Sequence, residues 1–340
     1  MRVLVTGDKG YIGAVLVAML RQRGIDVVGM DSEFYGGCDF GDVRGATSSV
    51  RRDIRDAAVE DLVGFDGVVH LAALSNDPVS DLDPGLTFDI NHLAAVRLAR
   101  LARAAGVPRF VFSSSCSNYG ASGSQLLDET AAFNPVAPYG VSKVQAEEGL
   151  LELATDDFSP VILRSATAYG VSPRLRCDVV LNNLVAWAVA TGKVHIKSDG
   201  TAWRPLVHVE DICRAFLAVL DAPRETVHSQ AFNVVAAGEN YRIRDVATTV
   251  AEVVGCDLEF AGDASADARN YRVDGSKIAA ALPAFQPGWN IQRGAEQLFE
   301  AFSQHGITLD DVEGWRYRRI GQLKRLLDLG DLTPDLRWKR

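Results

Sequence analysis

The chain has 340 residues, of which 47% are hydrophobic, and a formal net charge of −9. That length can bury a large core and suits two intimately joined domains, and the acidic balance argues against a nucleic-acid or anionic-membrane surface. The five cysteines, Cys38, Cys116, Cys177, Cys213 and Cys256, are scattered and form no Cys-x-x-Cys pair. They read as reduced thiols of a cytoplasmic protein and exclude a disulfide framework or a zinc site. Without a basic leader or an uninterrupted apolar run of membrane-spanning length, neither a signal peptide nor a transmembrane helix is expected.

In chain order, residues 2–6 read as a short buried strand, followed by Gly7-x-x-Gly10-x-x-Gly13 and an apolar helical pattern. Glycines there let the backbone turn tightly and approach a pyrophosphate, whose charge is met by the N-terminus of the next helix. The spacing is one residue longer than the usual Gly-x-Gly-x-x-Gly fingerprint. A second strand, 26–31, ends in Asp31, 18 residues beyond Gly13. An acid at that distance can accept both hydroxyls of an adenosine ribose and repels a 2′-phosphate, which favours NAD over NADP.

Further strands at 47–51, 67–72, 109–114 and 159–164 alternate with helices such as 11–23, 84–105 and 139–155. The alternation predicts an α/β fold, a Rossmann-type doubly wound parallel sheet with right-handed crossovers and the ligand beyond the C-terminal strand ends. Those ends carry Gly7, Asp31, Ala72 and Ser115. Residues 1–164 are thus expected to form an NAD-binding domain, with segments near 205–235 returning to it. Residues 165–204 and 236–300 read as a smaller interleaved α/β substrate-binding lobe, with helices near 178–191, 209–221 and 242–254. Residues 301–340 read as a helical C-terminal extension, with helices around 312–330.

Within this frame, Tyr139 and Lys143 are four apart and share one helix face. A free phenol titrates near ~10, and a nearby ammonium lowers that value, so Lys143 is expected to bring Tyr139 toward proton exchange with a sugar hydroxyl. Ser115, closing an apolar run, can hydrogen-bond the same hydroxyl. The trio points to alcohol–ketone redox chemistry. His70 and His208 sit in apolar strands and read as satisfied strand residues, and no cluster has metal-ligand spacing, so no metal is expected.

Together, the Gly7–Gly13 turn, Asp53-Ile54, His70-Leu71-Ala72-Ala73, Asn91, Ser113 to Ser115, Tyr139-x-x-x-Lys143 and Arg204 through Asp211 carry a family resemblance. Over about residues 1–300 the chain resembles the extended short-chain dehydrogenase/reductases, specifically the nucleotide-sugar epimerase and dehydratase group, in the manner of UDP-glucose 4-epimerases. The resemblance implies that Gly7, Gly10, Tyr11, Ile12, Gly13 and Asp31 bind NAD. It further implies that Asp53 and Ile54 flank the adenine, Leu71, Ala72, Ala73 and Ser113 line the cofactor, and Asn91 steadies the site. Tyr139 would be the acid/base, Lys143 would hold the nicotinamide ribose, and Ser115 would orient the sugar hydroxyl.

Dehydratases and decarboxylases of this group carry a carboxylate just after the catalytic Ser/Thr, where this chain has Cys116 and Ser117. The resemblance therefore favours C4 epimerisation of a nucleotide-diphosphate sugar through a transient 4-ketone. The alternatives are a nucleotide-linked ketosugar reductase, a 4,6-dehydratase and a non-catalytic NAD-binding protein. Asn182-Asn183-Leu184 is similar to a nucleotide-contacting segment of UDP-sugar epimerases, Arg204 falls on a diphosphate-binding arginine, and His195 lies on the strand that receives the base. Ser75, Asn76, Cys116, Ser117 and Thr167 fall at further substrate positions. A second phosphate-binding arginine is replaced by Ala264, leaving Arg269 or Arg272 to compensate. The nucleotide stays open among UDP, dTDP, CDP and GDP. A homodimer through the Tyr139 helix and residues 84–105 is expected.

Overall fold

The inner segments of the sheet are rich in Val, Ile, Leu and Phe and pair in parallel, as strands buried on both faces do, while the edge strand Ser48–Arg51 is polar and exposed. The computed structural model describes residues 1–41, 48–265 and 269–339, with the backbone alone at 197 and 261–265. Thr47, Arg340 and the side chains of Lys197 and Ala264, all within the expectations above, lie outside the described residues. Across the sheet the order is Ala231–Val234, Ser159–Ser165, Arg109–Ser115, Gly67–His70, Arg2–Thr6, Asp26–Asp31 and Ser48–Arg51. Every pairing is parallel. Because the chain starts in the middle and winds outward in both directions, the first and fourth strands lie side by side at a switch point. A crevice opens beyond their C-terminal ends.

Two elements differ from the sequence reading. The fourth strand stops at His70, and Leu71 to Ala73 leave the sheet. The helix expected over 84–105 is broken into Pro84–Phe88, a wide turn at Asp89–Leu93 and Ala94–Ala104. At the wide turn Asn91 points inward, its Oδ1 accepting the Leu74 N–H at 2.8 Å and its amide donating to the Leu74 carbonyl at 3.0 Å. A side chain inserted to hold a neighbouring loop is a recognised cause of such a turn.

The second lobe is built on short strands. Trp203–His208 lies between Thr167–Tyr169 and Asn240–Arg242, Lys193–Ser198 pairs with Asp257–Ser265, and Asn270–Val273 pairs with Ala121–Leu127 from the first half of the chain. Its core gathers Leu181, Val185, Val246, Val250, Leu298 and Phe302, and also Val312 and Tyr317 of the C-terminal segment. Farther on, Leu323, Leu326, Leu332 and Leu336 pack with Ile54, Leu62 and Leu98 of the first domain. The C-terminal segment is thus a strap from one core to the other, through the helices Leu309–Glu313 and Arg319–Asp328.

The helix Pro138–Leu151 is held to the sheet by a buried ion pair. Arg164 of the Ser159–Ser165 strand donates from Nε and Nη2 to the Glu147 carboxylate at 3.0 and 2.7 Å. Glu147 also accepts from the Ser114 hydroxyl and, at 2.8 Å, from the Asn118 amide. Arg164 Nη1 reaches the Tyr119 phenol and the Glu129 carbonyl, both at 3.0 Å. Removing one partner of such a pair leaves a buried charge unpaired, at a typical loss of about 3–5 kcal/mol. Glu147→Ala should therefore lower the unfolding free energy by about that much in urea melts, whereas loss of the exposed Lys193–Glu259 pair should leave the melt nearly unchanged.

Candidate active site

The first strand runs into Gly7, whose φ of +75° suits glycine, and a Cβ there would lie 2.8 Å from the Ala72 nitrogen. At Gly13 a Cβ would fall 2.0 Å from the Gly7 carbonyl oxygen, so the turn and helix Tyr11–Gln22 close up only because both are glycine. Gly10 caps that helix with no side chain over its N-terminus. The helix end faces a cavity of about 600 Å³, which is the setting in which backbone N–H groups and the helix dipole hold an anion.

Every residue expected to bind NAD lines this cavity except Asn91: Gly7, Gly10, Tyr11, Ile12, Gly13, Asp31, Asp53, Ile54, Leu71, Ala72, Ala73, Ser113, Tyr139 and Lys143. Asn91 stands behind the wall, holding Leu74 and, at 3.2 Å, the Ser142 hydroxyl. The Asp31 carboxylate is oriented by the N–H groups of Lys9 at 3.1 Å and Glu33 at 2.6 Å, and burial raises its pKa above the ordinary carboxylate range. A glycine cradle that a Cβ would fill, an open helix N-terminus and an acid at the next strand end fit a dinucleotide.

Deeper in the cavity, Ser115 ends its strand and its Oγ accepts the Ser117 N–H at 3.1 Å. Its hydroxyl lines the cavity together with the Tyr139 phenol, on which it acts electrostatically. Pro138 starts the helix, which puts Tyr139 in the first turn and Lys143 one turn on. Lys143 Nζ donates to the Ser113 carbonyl at 2.7 Å, 4.5 Å from the Phe112 ring centroid and 5.9 Å from that of Tyr139.

The electrostatics correct one expectation. Burial pushes Tyr139 up to about 12, opposed by the Ser115 hydroxyl and by Arg176, and Lys143 is not among the groups that move it. Burial brings Lys143 itself down to about 7, against the pull of Glu147. With the protein's own charges alone, low dielectric favours the neutral form of both groups. His70 is a buried strand residue as expected but only half satisfied: its Nδ1 lies 2.6 Å from the Thr6 hydroxyl, whereas its Nε2 is buried without a partner among the described residues, and burial and Lys143 hold its pKa down to about 3.

At the other end of the cavity stand Ser75, Asn76, Ser117, Thr167, Asn183, Arg204 and Arg269. Arg204 donates to the carbonyls of Trp203, at 2.8 Å, and Arg269. Arg269 pairs with Asp77 at 2.9 Å. Arg272 instead lies 4.7 Å from the Trp203 ring centroid, outside the cavity, so the structure places Arg269, not Arg272, at the site.

Four residues expected to touch substrate do not reach it. Cys116 follows Ser115 and turns the opposite way, its thiol 3.1 Å from the Arg164 carbonyl and pushed well up by burial. Asn182 is buried, its side chain accepting the Gly170 N–H at 2.9 Å and donating to the Arg176 carbonyl at 2.9 Å. Leu184 lies on the apolar helix face with Leu181 and Val185. His195 alternates with the buried Val194 and Ile196 and so takes the opposite face of its strand pair. Sequence reasoning missed Arg176, Asp178, Tyr35, Arg318 and Arg319, all of which line the cavity. They belong to loops and to the strap, where no periodicity announces a site.

Residues 3–235 match the family described as the NAD dependent epimerase/dehydratase family. The chain belongs to the NAD-dependent epimerase/dehydratase family. A UDP-glucose 4-epimerase of Mycolicibacterium smegmatis is 30% identical over 320 residues, spanning 89% of this chain and 98% of the relative. MoeE5, solved in complex with UDP-glucuronic acid and NAD, superposes with a TM-score of 0.77 at 30% identity, covering 89% of this chain and 99% of that one. DesIV from Streptomyces venezuelae, a dTDP-glucose 4,6-dehydratase solved with NAD, gives a TM-score of 0.79 at 25% identity over 92% of this chain and 100% of that one. The cofactor of this epimerase/dehydratase family member is NAD.

One buried acid in the family's glycine turn gives a measurable pH effect. Asp8 lies against Gly29 and accepts from the Ser49 hydroxyl at 3.2 Å, and burial, with Asp31 nearby, pushes its pKa up to about 6. A raised carboxyl pKa favours the folded state at low pH, and that contribution is lost as pH rises through about 6. Asp8→Asn should therefore melt higher than the parent at neutral pH and coincide with it below about pH 4, as followed by calorimetry across pH.

Proposed function

We propose that the protein epimerises a nucleotide-diphosphate sugar at C4 through a transient 4-ketone, with Ser115, Tyr139 and Lys143 as its catalytic residues. The observation that carries this reading is that Ser115, Tyr139 and Lys143 line one cavity, with Lys143 one helical turn beyond the phenol and the two positions after Ser115 bringing no carboxyl group. Elimination needs an acid or base for the carbons beside the ketone. Cys116 faces the core, Ser117 has only a hydroxyl, and Asp77 is paired with Arg269.

When bound, NAD supplies a hydride acceptor with a positively charged ring, and a positive charge near a phenol favours the phenolate. Ser115 Oγ, fixed by the Ser117 N–H, holds the sugar hydroxyl against Tyr139. Tyr139 Oη takes the proton of that hydroxyl when the 4-ketone forms and returns it when the alcohol is restored with the opposite configuration. Lys143, anchored on the Ser113 carbonyl, presents its remaining N–H groups toward the cofactor side of the phenol. Arg204 and Arg269 are the groups we assign to the substrate diphosphate, where a planar fork meets two oxygens. The UDP-sugar relatives support a uridine nucleotide as the first to try.

Tyr139→Phe should cut turnover by ~10²–10⁴-fold while NAD content, read by absorbance after denaturation, stays at the wild-type level. The assay is NMR of UDP-, dTDP-, CDP- and GDP-sugars without added reductant. Unchanged turnover would sink the mechanism, and stoichiometric consumption of added NADH would mark a ketosugar reductase instead. We also propose a homodimer through the Tyr139 helix and its neighbour, where Leu93 is 57% exposed. Light scattering should give twice the 36.7 kDa chain mass.

A further inference from the structure

The strap lies outside the family match of residues 3–235, yet Val312, Glu313, Arg318 and Arg319 form part of the cavity wall. Arg319 is the informative one, being only 2% exposed. Its Nη2 donates to the Arg174 carbonyl at 3.0 Å and its guanidinium lies 4.1 Å from the Tyr35 ring centroid. Its Nη1 is buried and has no hydrogen-bond partner among the described residues. The nearest acid, Asp178, is engaged by Arg176, whose Nε donates to it at 2.7 Å, and Arg319 meets that carboxylate only through its backbone N–H at 3.3 Å. Two buried guanidinium groups therefore face one carboxylate. A surplus buried cation with an unfilled donor is unfavourable until an anion joins it.

The position of the pair selects the anion. Arg176 donates to the Ser75 carbonyl at 3.1 Å, beside the Leu71–Ala73 wall. Both arginines act electrostatically on Tyr11, the first residue of the helix behind the glycine turn, and on Tyr35, just past Asp31. The other arginine pair, Arg204 and Arg269, stands with Tyr271 and Asp77 on the substrate side. We propose that Arg319, carried in by the C-terminal strap, binds the diphosphate of the dinucleotide together with Arg176 and the glycine turn. The strap is pinned to the same domain beyond that point. Arg337 pairs with Asp53 at 3.4 Å and Trp338 Nε1 donates to the Ser32 carbonyl at 2.6 Å. Retention of NAD then depends on a segment that lies outside the dinucleotide-binding domain in the chain.

This inference rests on the cavity being the NAD site, and its test separates the two. Full-length wild type and Arg319→Gln, freed of dinucleotide on charcoal, are titrated calorimetrically with NAD and, once NAD-loaded, with UDP. Loss of one charge-assisted hydrogen bond should weaken NAD by about 10- to 100-fold and leave UDP within about two-fold. Equal NAD affinity in the two proteins, or weaker UDP with unchanged NAD, overturns the assignment of Arg319 alone. No NAD binding by wild type overturns both readings. Hydrogen exchange on the wild type covers the case of a variant that does not fold: NAD should slow exchange at residues 312–322, and no change there counts against the proposal.

Discussion

The relative placement of Ser115, Tyr139 and Lys143 depends on the buried pair between Glu147 and Arg164. Tyr139, Lys143 and Glu147 follow one another at intervals of four and so form one stripe along the helix Pro138–Leu151. The last member of the stripe is locked to Arg164 from one strand and to Ser114 from the next. Ser114 lies between Ser113, which receives Lys143, and Ser115, which meets Tyr139. A charge network on one side of the strand therefore sets the register of Tyr139 and Lys143 on the other. Its desolvated charges tolerate little slack, because a displaced partner would leave an ion uncompensated in low dielectric.

Charged side chains divide the cavity into zones. Asp31 sits at one end, held by backbone N–H groups. Arg176 and Arg319 share Asp178 in the middle, and Arg204 and Arg269 close the far end with Asp77. Burial drives Tyr139 up and Lys143 down, which disfavours charge on both. The phenol is then responsive to whatever charge a ligand brings, as the proton exchange proposed for it requires.

Neighbouring residues show how far the site could be read from the chain. Ser115 and Asn183 face the cavity, whereas Cys116 and Asn182 do not. In each pair the residue type suited chemistry, and only the packing decided which side chain turned inward. Cys116 goes to the core because the chain enters a short helical turn after Ser115. Asn182 is drawn to the loop between Gly170 and Arg176, where buried backbone groups need partners. In holding that loop it positions Arg176, a role that its motif did not suggest.

The strand, glycine turn and helix at the start, the acid at the end of the second strand and the four-residue spacing of Tyr139 and Lys143 were all determined by the amino-acid order alone. Each depends on backbone sterics, hydrophobic period or helix geometry acting over a few residues. The inward turn of particular side chains, the shift of a phenol and an amine toward neutrality, and the return of the C-terminal strap over the cavity were decided by the tertiary structure. Those properties arise where segments remote in the chain exclude water from one another, and a local pattern shows that a face is apolar without showing what will cover it.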